Sequence, residues 1–491
     1  MQKYLQISIF FCNFACLICK RMMIDTKNAY FLGIGGIGMS AIARYLKHAG
    51  WQVAGYDRTE TALTAELVAE GISVCYDDDA TLLPDWVDRN TLIVFTPAIP
   101  ADSRLRQWAE QSGCRMVKRS EILGEITDTR KALCVAGSHG KTTTTTMIAH
   151  IMHQSHIGAG AFLGGISENY HSNLILDNSP YVAVEADEFD RSFLRLHPWM
   201  SVITSVDADH LDIYGDEQGY KEGFAQYTAL ITGALVVKYG LKFTPRLQPG
   251  TECYTYARED ARAHYYATNI HVHHAKAGDT PTIHFDLHTP ERVIPDIALG
   301  VPIWINVENA VAAAAMCLLN GVTDDELREG LRTFRGVERR FNILADNGRV
   351  AYIDDYAHHP TEIAATIASA RLLYPRRKLI CIFQPHLFTR TRDQMDDFAS
   401  VLSMADEVLL MPIYPAREKP IKGITSQALG EKIQNNHVYC PKRSKVPQVV
   451  EQIVRHEAVA VVMTLGAGDI SLLREPITKI VQEHVFSTIE A

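Results

Sequence analysis

The sequence predicts an α/β protein of three consecutive domains, and three observations carry that prediction. Near the start, an apolar run, Tyr30 to Ile34, passes through Gly33-Ile-Gly35-Gly36-Ile-Gly38 into a helical pattern, Ala41 to Ala49. Further along, Ala132 to Ala136 runs into Gly137-Ser138-His139-Gly140-Lys141-Thr142, and a helix again follows. From Val350 onward, apolar strands alternate regularly with amphipathic helices. Strand, glycine turn and helix in series is the text of parallel sheets with crossover helices. At 491 residues and 47% hydrophobic, the chain has the length and apolar content for about three ordinary domains.

The first domain is expected over residues 23–128. Its glycine run is G-x-G-x-x-G in the required context, with a strand before it and a helix after it. A second strand, Gln52 to Gly55, leads to Asp57, nineteen residues past Gly38. An acidic residue there normally takes a ribose hydroxyl. A third strand, Thr91 to Phe95, ends in Thr96-Pro97-Ala98-Ile99. Loops at the carboxyl ends of parallel strands line the ligand crevice of open α/β sheets. This is a Rossmann-like pattern, and taken alone it points to a dinucleotide.

The central domain is expected over residues 129–335, built like a phosphate-loop ATPase. Glycines 137 and 140 let backbone N–H groups approach an anion at a helix N-terminus. Lys141 reaches the β/γ-phosphates in such a loop, and the Thr142 hydroxyl faces Mg²⁺. The first glycine of the full eight-residue pattern is absent, since Val135 stands there. Tyr181 to Val184 reads as a strand ending in Glu185-Ala-Asp187-Glu188-Phe-Asp190, which places Glu185 as a hard-oxygen metal ligand. A further strand, Met200 to Val206, ends in Asp207-Ala-Asp209-His210-Leu-Asp212, and His210 is the second metal candidate. Gly164-Gly165 reads as a turn where backbone can approach a ligand. Between Arg258 and Pro302 the apolar residues alternate as in a small antiparallel sheet, with His271, His273 and His274 on its surface. Asn306 and Asn309 open an alanine-rich helix ending at Leu319. Their amides suit either an adenine edge or helix capping. Thr323 to Arg332 is a further helix.

The third domain, residues 336–491, is expected to be a second doubly wound, Rossmann-like sheet. Its strands are Val350–Ile353, Leu379–Phe383, Val408–Met411, His437–Cys440 and Ala458–Leu465. Pro360 opens a helix with Ile363, Ile367, Ala370 and Tyr374 on one face. Polar residues gather after the strands: Asp354-Asp355-Tyr356-Ala-His358-His359, Gln384-Pro-His386, Arg390-Thr-Arg392 and Gly466-Ala-Gly468-Asp469. Their recurrence at equivalent strand ends suggests a site.

The net charge of −9 gives no basic excess, so general nucleic-acid binding is not expected. Ten cysteines in so long a chain, mostly scattered, suit a reducing cytoplasm. Residues 1–22 hold a short apolar run, Leu5 to Cys19, between cationic residues. No A-x-A-like cleavage site follows, and the run is short for a membrane span. An over-long start is expected, with translation beginning at Met22 or Met23, and no stable membrane association.

With all three parts in view, the chain resembles the Mur ligases. The matching text is GIGGIGMS, GSHGKTTTT, EADEFD, DADHLD, GVERRF, DDYAHHPTE, FQPHLFTRTRD and LGAGDI, spread from Ala29 to Asp469. The resemblance implies one domain for a UDP-sugar, one for ATP and one for an incoming amino acid. It implies an ATP-dependent, Mg²⁺-requiring ligase of peptidoglycan precursor synthesis that joins L-alanine to the lactyl carboxylate of UDP-N-acetylmuramate through an acyl phosphate. The alternative within the family is a recycling ligase that joins a murein tripeptide to the same nucleotide sugar.

Residue by residue, the resemblance implies that Gly35, Gly36, Gly38, Met39, Ser40 and Asp57 hold the uridine diphosphate, with Thr96 and Ala98 near the sugar. The ATP site would be Gly137, Ser138, His139, Gly140, Lys141, Thr142 and Thr143, with Asn306 and Asn309 at the adenine and Arg340 and Asp355 at phosphates and ribose. Thr142, Glu185 and His210 would hold Mg²⁺. Tyr356, His358, His386 and Arg390 would face the amino acid. Lys141, Glu185, His210 and Arg390 are the expected catalytic residues. Two positions depart from the family text: Ile305 stands where His commonly precedes Asn, and Leu387 where Arg is expected after Pro-His.

Overall fold

The computed structural model describes residues 27–208, 211–273, 281–416, 418–434, 437–457 and 459–483. The expectations placed on residues 1–22, on His210 and on His274 lie outside the described residues. The chain gathers into two compact units. The first holds the chain up to Thr268 with Asp286–Ile297 and Glu308–Arg335; the second holds Asn269–Phe285, Ala298–Val307 and the chain from Gly336 on.

The first unit opens with five parallel strands: β1 (Asn28–Leu32), β2 (Gln52–Tyr56), β3 (Ser73–Cys75), β4 (Leu92–Phe95) and β5 (Met116–Lys118), in the order β3-β2-β1-β4-β5. β1 is central and buried along almost its whole length, as an apolar strand covered on both faces must be. The strand order reverses between β1 and β4, and ligands of open α/β sheets bind at such switch points. The glycine fingerprint follows β1 and the Thr96 loop follows β4, so both predicted ligand loops sit there. Helix α1 (Ile37–His48) begins at Gly36 with no side-chain cap.

A second, mixed sheet has ten strands: β6 (Lys131–Ala136), β7 (Gly160–Ser167), β8 (Ser172–Ile175), β9 (Tyr181–Ala186), β10 (Pro198–Ile203), β11 (Ala234–Lys238), β12 (Glu252–Ala257), β13 (Tyr265–His273), β14 (Thr282–His288) and β15 (Val293–Leu299). Their order is β15-β14-β13-β12-β11-β10-β6-β9-β7-β8. β6 lies between β10 and β9, parallel to both. Three chemistry-bearing loops therefore leave one edge side by side. Gly164-Gly165, expected as a turn, lies inside β7, where the pairing with β8 loses register between Phe162 and Ser167.

Helix α2 (Arg119–Asp128) leads into β6, and helix α3 (Lys141–Gln154) leaves the phosphate loop. α3 is rich in threonine, a modest helix former, and burial of nearly every residue from Thr144 to Met152 supplies what propensity lacks. One hydrophobic cluster joins Phe31, Ile42 and Leu46 to Ile122, Ile126, Cys134, Phe162, Val184 and Phe224. The first two sheets therefore share a core, which fixes the glycine fingerprint relative to the phosphate loop. Buried Arg44 adds a polar tie: it pairs with Glu66 and Glu70 and donates to Asn173 Oδ1 at 2.7 Å.

In the second unit, β16 (Asn342–Asp346), β17 (Val350–Asp355), β18 (Lys378–Phe383), β19 (Glu407–Leu410), β20 (Val438–Tyr439) and β21 (Ala460–Leu465) form a sheet in the order β16-β17-β21-β18-β19-β20. All pairs are parallel except the β16–β17 edge. β16 escaped the sequence reading because Asn342 to Asp346 carries too short an apolar run. Next after β15 in the chain is helix α4 (Trp304–Leu319). Helix α5 (Pro360–Leu373) follows β17, and short helix α6 (Phe388–Asp393) follows β18. Ile363, Ile367, Ala370 and Tyr374 are all buried, as their spacing predicted.

Candidate active site

In the first unit the site is built on the carboxyl ends of β6, β9 and β10. After β6, Gly137 has φ +141° and Gly140 φ +78°, both in the region that favours glycine. A side chain at Gly137 would put Cβ 2.1 Å from Thr204 Oγ1. Thr204 in turn hydrogen-bonds the carbonyls of Ala136 and His139, and Ser205 Oγ accepts from His139 N. Ser138 Oγ donates to the Asp207 carbonyl and meets Tyr220 OH at 2.9 Å. The segment after β10 thus clamps the loop from one side. From the other, Asn309 Oδ1 lies where a Cβ on Gly140 would meet it at 2.9 Å. Asn306 is also buried, one helical turn earlier.

α3 starts at Gly140 without a side-chain cap, as α1 does at Gly36. Other helices of this unit begin on Thr61, Ser103 and Asp216, whose side chains accept from the first turn. Uncapped N–H groups at the two glycine loops are left to an anion.

Lys141 is enclosed. Its Nζ donates to Gly137 O at 2.6 Å and to both oxygens of Glu188 at 2.9 and 2.7 Å. Glu188 is itself only 2% exposed, and Tyr214 OH donates to its backbone carbonyl. Burial works against the lysine's charge, but Glu188 and Glu185 outweigh it and its pKa is raised. Thr142 Oγ1 donates to Glu185 Oε2 at 2.9 Å. Glu185 lies against Gly164, where any Cβ would fall 2.0 Å from the same oxygen. A hydroxyl and a carboxylate beside a phosphate loop fit Mg²⁺, which takes few protein oxygens and completes its shell with phosphate and water. Among the described residues no three His, Cys, Asp or Glu side chains converge as a protein-only metal centre.

A cleft of about 250 Å³ runs from the fingerprint to Glu185, lined by Gly36, Gly38, Met39, Arg119, Gly164 and Glu185 among others. Gly35 N donates to Asp57 Oδ2 at 2.8 Å, so Asp57 holds the glycine turn itself. Ser40 is fully buried and its hydroxyl meets Asn173 Nδ2 at 2.8 Å. That side chain braces α1 against β8 and does not face the cleft. Thr96 packs against Gly33, and Ala98 is exposed beside it. Arg119 was missed by sequence reasoning. It pairs loosely with Asp187 at 3.4 Å and lies where a side chain on Gly38 would meet its guanidinium. A lone arginine at a helix start gives no sequence signal. Glu188 was missed because one acidic residue among four looks like a solvated loop.

In the second unit, β17, β21 and β18 are adjacent and parallel, so their polar ends converge. Asp355 is buried, with Oδ1 accepting from Ala357 N and Oδ2 from Thr366 Oγ1. Burial pushes its carboxyl up to about 6, against Arg340, which favours the charged form. The guanidinium groups of Arg339 and Arg340 lie 5.1 and 5.3 Å from the Tyr356 ring centroid. Tyr356 contacts His358, whose ring faces His386 edge-on at 6.1 Å. His386 stacks on Tyr414. Burial holds the His358 imidazole down to about 4; Glu362 opposes this, and Arg390 adds to it. Burial and Arg390 also lower His386. Arg390 Nη1 and His386 Nδ1 are both buried and have no hydrogen-bond partner among the described residues. Buried polar atoms without partners are rare and ask for a ligand. Leu387 has φ +71° and caps α6, its N–H donating to the Tyr414 carbonyl. The expected second cation is therefore absent, and Arg390 is the cation adjoining these histidines on α6.

Known proteins resemble the chain over most of its length. Three family models match in series: "Mur ligase family, catalytic domain" over residues 28–131, "Mur ligase middle domain" over 135–317, and "Mur ligase, glutamate ligase domain" over 339–473. A UDP-N-acetylmuramate–L-alanine ligase of Porphyromonas gingivalis is 49% identical over 463 residues, covering 93% of this chain and 99% of that protein. One from Phocaeicola vulgatus is 47% identical over 449 residues, 90% of this chain and 96% of its own. Among solved structures, the UDP-N-acetylmuramate–alanine ligase of Thermotoga maritima aligns with TM-score 0.78 at 27% identity, over 93% of this chain and 99% of that one. A murein peptide ligase of Psychrobacter arcticus shares the fold, with TM-score 0.62 at 21% identity over 92% and 98%. The chain belongs to the Mur ligase family.

Proposed function

We infer that this chain is an ATP-dependent ligase that joins L-alanine to the lactyl carboxylate of UDP-N-acetylmuramate in peptidoglycan precursor synthesis. Relatives of nearly full length bearing that activity in their names, at 49% and 48% identity, carry the inference. The tripeptide-joining alternative is represented by the murein peptide ligase at 21% identity, a likeness of fold alone.

A carboxylate does not react with an amine directly, because its oxide is a poor leaving group. The lactyl carboxylate oxygen attacks the γ-phosphorus of ATP, the bond from the β–γ bridging oxygen breaks, and ADP leaves. The resulting acyl phosphate is attacked at its carbonyl carbon by the neutral amine of alanine. Phosphate departs and the amide nitrogen loses its proton. Two anions meet in the first step, so positive potential is what the site must supply. Lys141 and the uncapped N–H groups of α3 supply it at the transferred phosphoryl. Thr142 and Glu185 would hold Mg²⁺, with His210 as the third proposed ligand, and the bound ion would offset negative charge on the phosphates. Arg119 and the N-terminus of α1, with Gly35, Gly36 and Gly38, meet the diphosphate of the nucleotide sugar; Met39 lines that cleft, and Thr96 and Ala98 serve the sugar side. By the resemblance to the family, Asn306 and Asn309 would serve the adenine, and Arg340 and Asp355 the phosphates and ribose.

Arg390 and His386 hold the amino acid, with Tyr356 and His358 as walls. An enclosed carboxylate must be paired, and a guanidinium matches it through parallel hydrogen bonds. The observation supporting this half is the pair of buried nitrogens, Arg390 Nη1 and His386 Nδ1, that have no partner among the described residues. With its imidazole held neutral, His358 serves as a hydrogen-bonding wall, and not as a second cation. We place the reaction in the cytoplasm. The seven described cysteines are free thiols, and among the described residues no helix is long and apolar enough to cross a membrane.

The test is to trap the intermediate. Incubation with ATP and UDP-N-acetylmuramate without alanine, then hydroxylamine, should yield the hydroxamate of the lactyl group. Absence of hydroxamate, with amide formation intact on adding alanine, would rule out the acyl phosphate.

A further inference from the structure

All three N–H donors of the Lys141 ammonium are taken, one by Gly137 O and two by the carboxylate of Glu188. A phosphoryl group that draws on Lys141 must therefore win a donor from Glu188. We propose that Glu188 is a positioning residue that competes with the nucleotide for Lys141: it holds the ammonium charged and aimed into the loop, and yields one hydrogen bond as the phosphate arrives. The proposal rests on the reading of Lys141 as the phosphate lysine.

The geometry favours this over a passive ion pair. Glu188 is 2% exposed, and among the described residues Lys141 is the cation within hydrogen-bond reach of its carboxylate. A carboxylate so buried needs that partner. Its backbone is fixed by Tyr214 OH, and Arg191 in turn covers the Tyr214 ring at 5.0 Å. The carboxylate thus sits at a defined place. It lies against the Lys141 ammonium, so its negative charge opposes the binding of a polyanion there. An enzyme that must bind ATP and then release ADP gains from such a competitor. Lys141 goes back to Glu188 as ADP leaves, so an unpaired buried ammonium never has to form. A competitor displaced on binding costs the bound ground state and the transition state alike, so it raises the Michaelis constant for ATP and speeds the release of ADP.

The test is Glu188→Gln, an isostere with one acceptor oxygen and no charge. ATP and ADP binding are measured by calorimetry in EDTA, then with Mg²⁺, beside steady-state kinetics. Metal-free affinity should rise about tenfold, the scale of one charge-assisted hydrogen bond transferred to the phosphate. Turnover should fall while the Michaelis constant for ATP also falls, a split that loss of structure does not produce. Glu188→Asp keeps the charge but draws it back by one methylene, and should shift affinity the same way by less. Either variant suffices if the other fails to fold. Unchanged or weaker metal-free binding in a folded variant would overturn the proposal, and weakening only with Mg²⁺ would make Glu188 a metal ligand instead. Failure of the wild type to bind either nucleotide would overturn the reading of Lys141 itself.

Discussion

Replacing Arg390 with alanine should raise the Michaelis constant for L-alanine about a hundredfold and change that for ATP little. The magnitude follows from one buried donor. Arg390 Nη1 is closed off from solvent and has no acceptor among the described residues. A substrate carboxylate that meets it forms a charge-assisted bond in a site where water competes poorly. Such bonds contribute about 1.5–3 kcal/mol each, and the guanidinium can offer two. A net loss of about 3 kcal/mol is a factor of roughly 10² in affinity. The assay is ADP release at saturating ATP and UDP-N-acetylmuramate over a range of alanine concentrations. A second readout comes from the histidines. The Arg390 charge helps to keep both His358 and His386 below the ordinary range, after burial. In Arg390→Ala both should titrate higher by NMR. An unchanged Michaelis constant for alanine would refute the assignment, whatever the histidines do.

Gly164→Ala should cut turnover about a hundredfold, the scale for misplacing a reacting group by an ångström. Its Cβ would fall 2.0 Å from Glu185 Oε2, while its φ imposes no strain on alanine, so the melting temperature should barely move; normal turnover would return Glu185 to a structural part. Asp355 and His358 give opposite pH slopes of stability. Asp355 titrates at about 6 in the folded chain against 3.8 for the free group, so its contribution is full below 3.8 and lost as pH rises through 6. Asp355→Asn should therefore gain about 2–3 kcal/mol relative to wild type at pH 7. His358 titrates at about 4 against 6.5, so its contribution is full above 6.5 and lost as pH falls towards 4; His358→Gln should flatten that acid limb in urea unfolding.

Much of this was legible in the sequence because it rests on local spacing. The fingerprint, the phosphate loop and the carboxylates after β9 each occupy one strand end, and a strand end is a local feature. The parallel order of β6, β9 and β10 then brought Thr142 to Glu185. What stayed hidden depends on chain pairing. Glu188 and Lys141 are 47 residues apart, and nothing local says that one buries the other. Arg119 reaches the cleft because α2 packs on the same core as α1. Ser40 and Asp57 show the converse: text that matches a ligand motif also holds the loop in shape. The Ser40 hydroxyl meets Asn173, and Asp57 holds Gly35. Gly164 was singled out as a point of close approach, but inside a strand, because a glycine in β7 leaves room for Glu185 and not for a turn.

The most direct measurement is ADP release with ATP and UDP-N-acetylmuramate, with L-alanine or the murein tripeptide L-Ala-γ-D-Glu-meso-diaminopimelate as the amine. The account predicts turnover that needs all three substrates and is faster with L-alanine. Faster turnover with the tripeptide, or ADP release at the full rate without UDP-N-acetylmuramate, would contradict it.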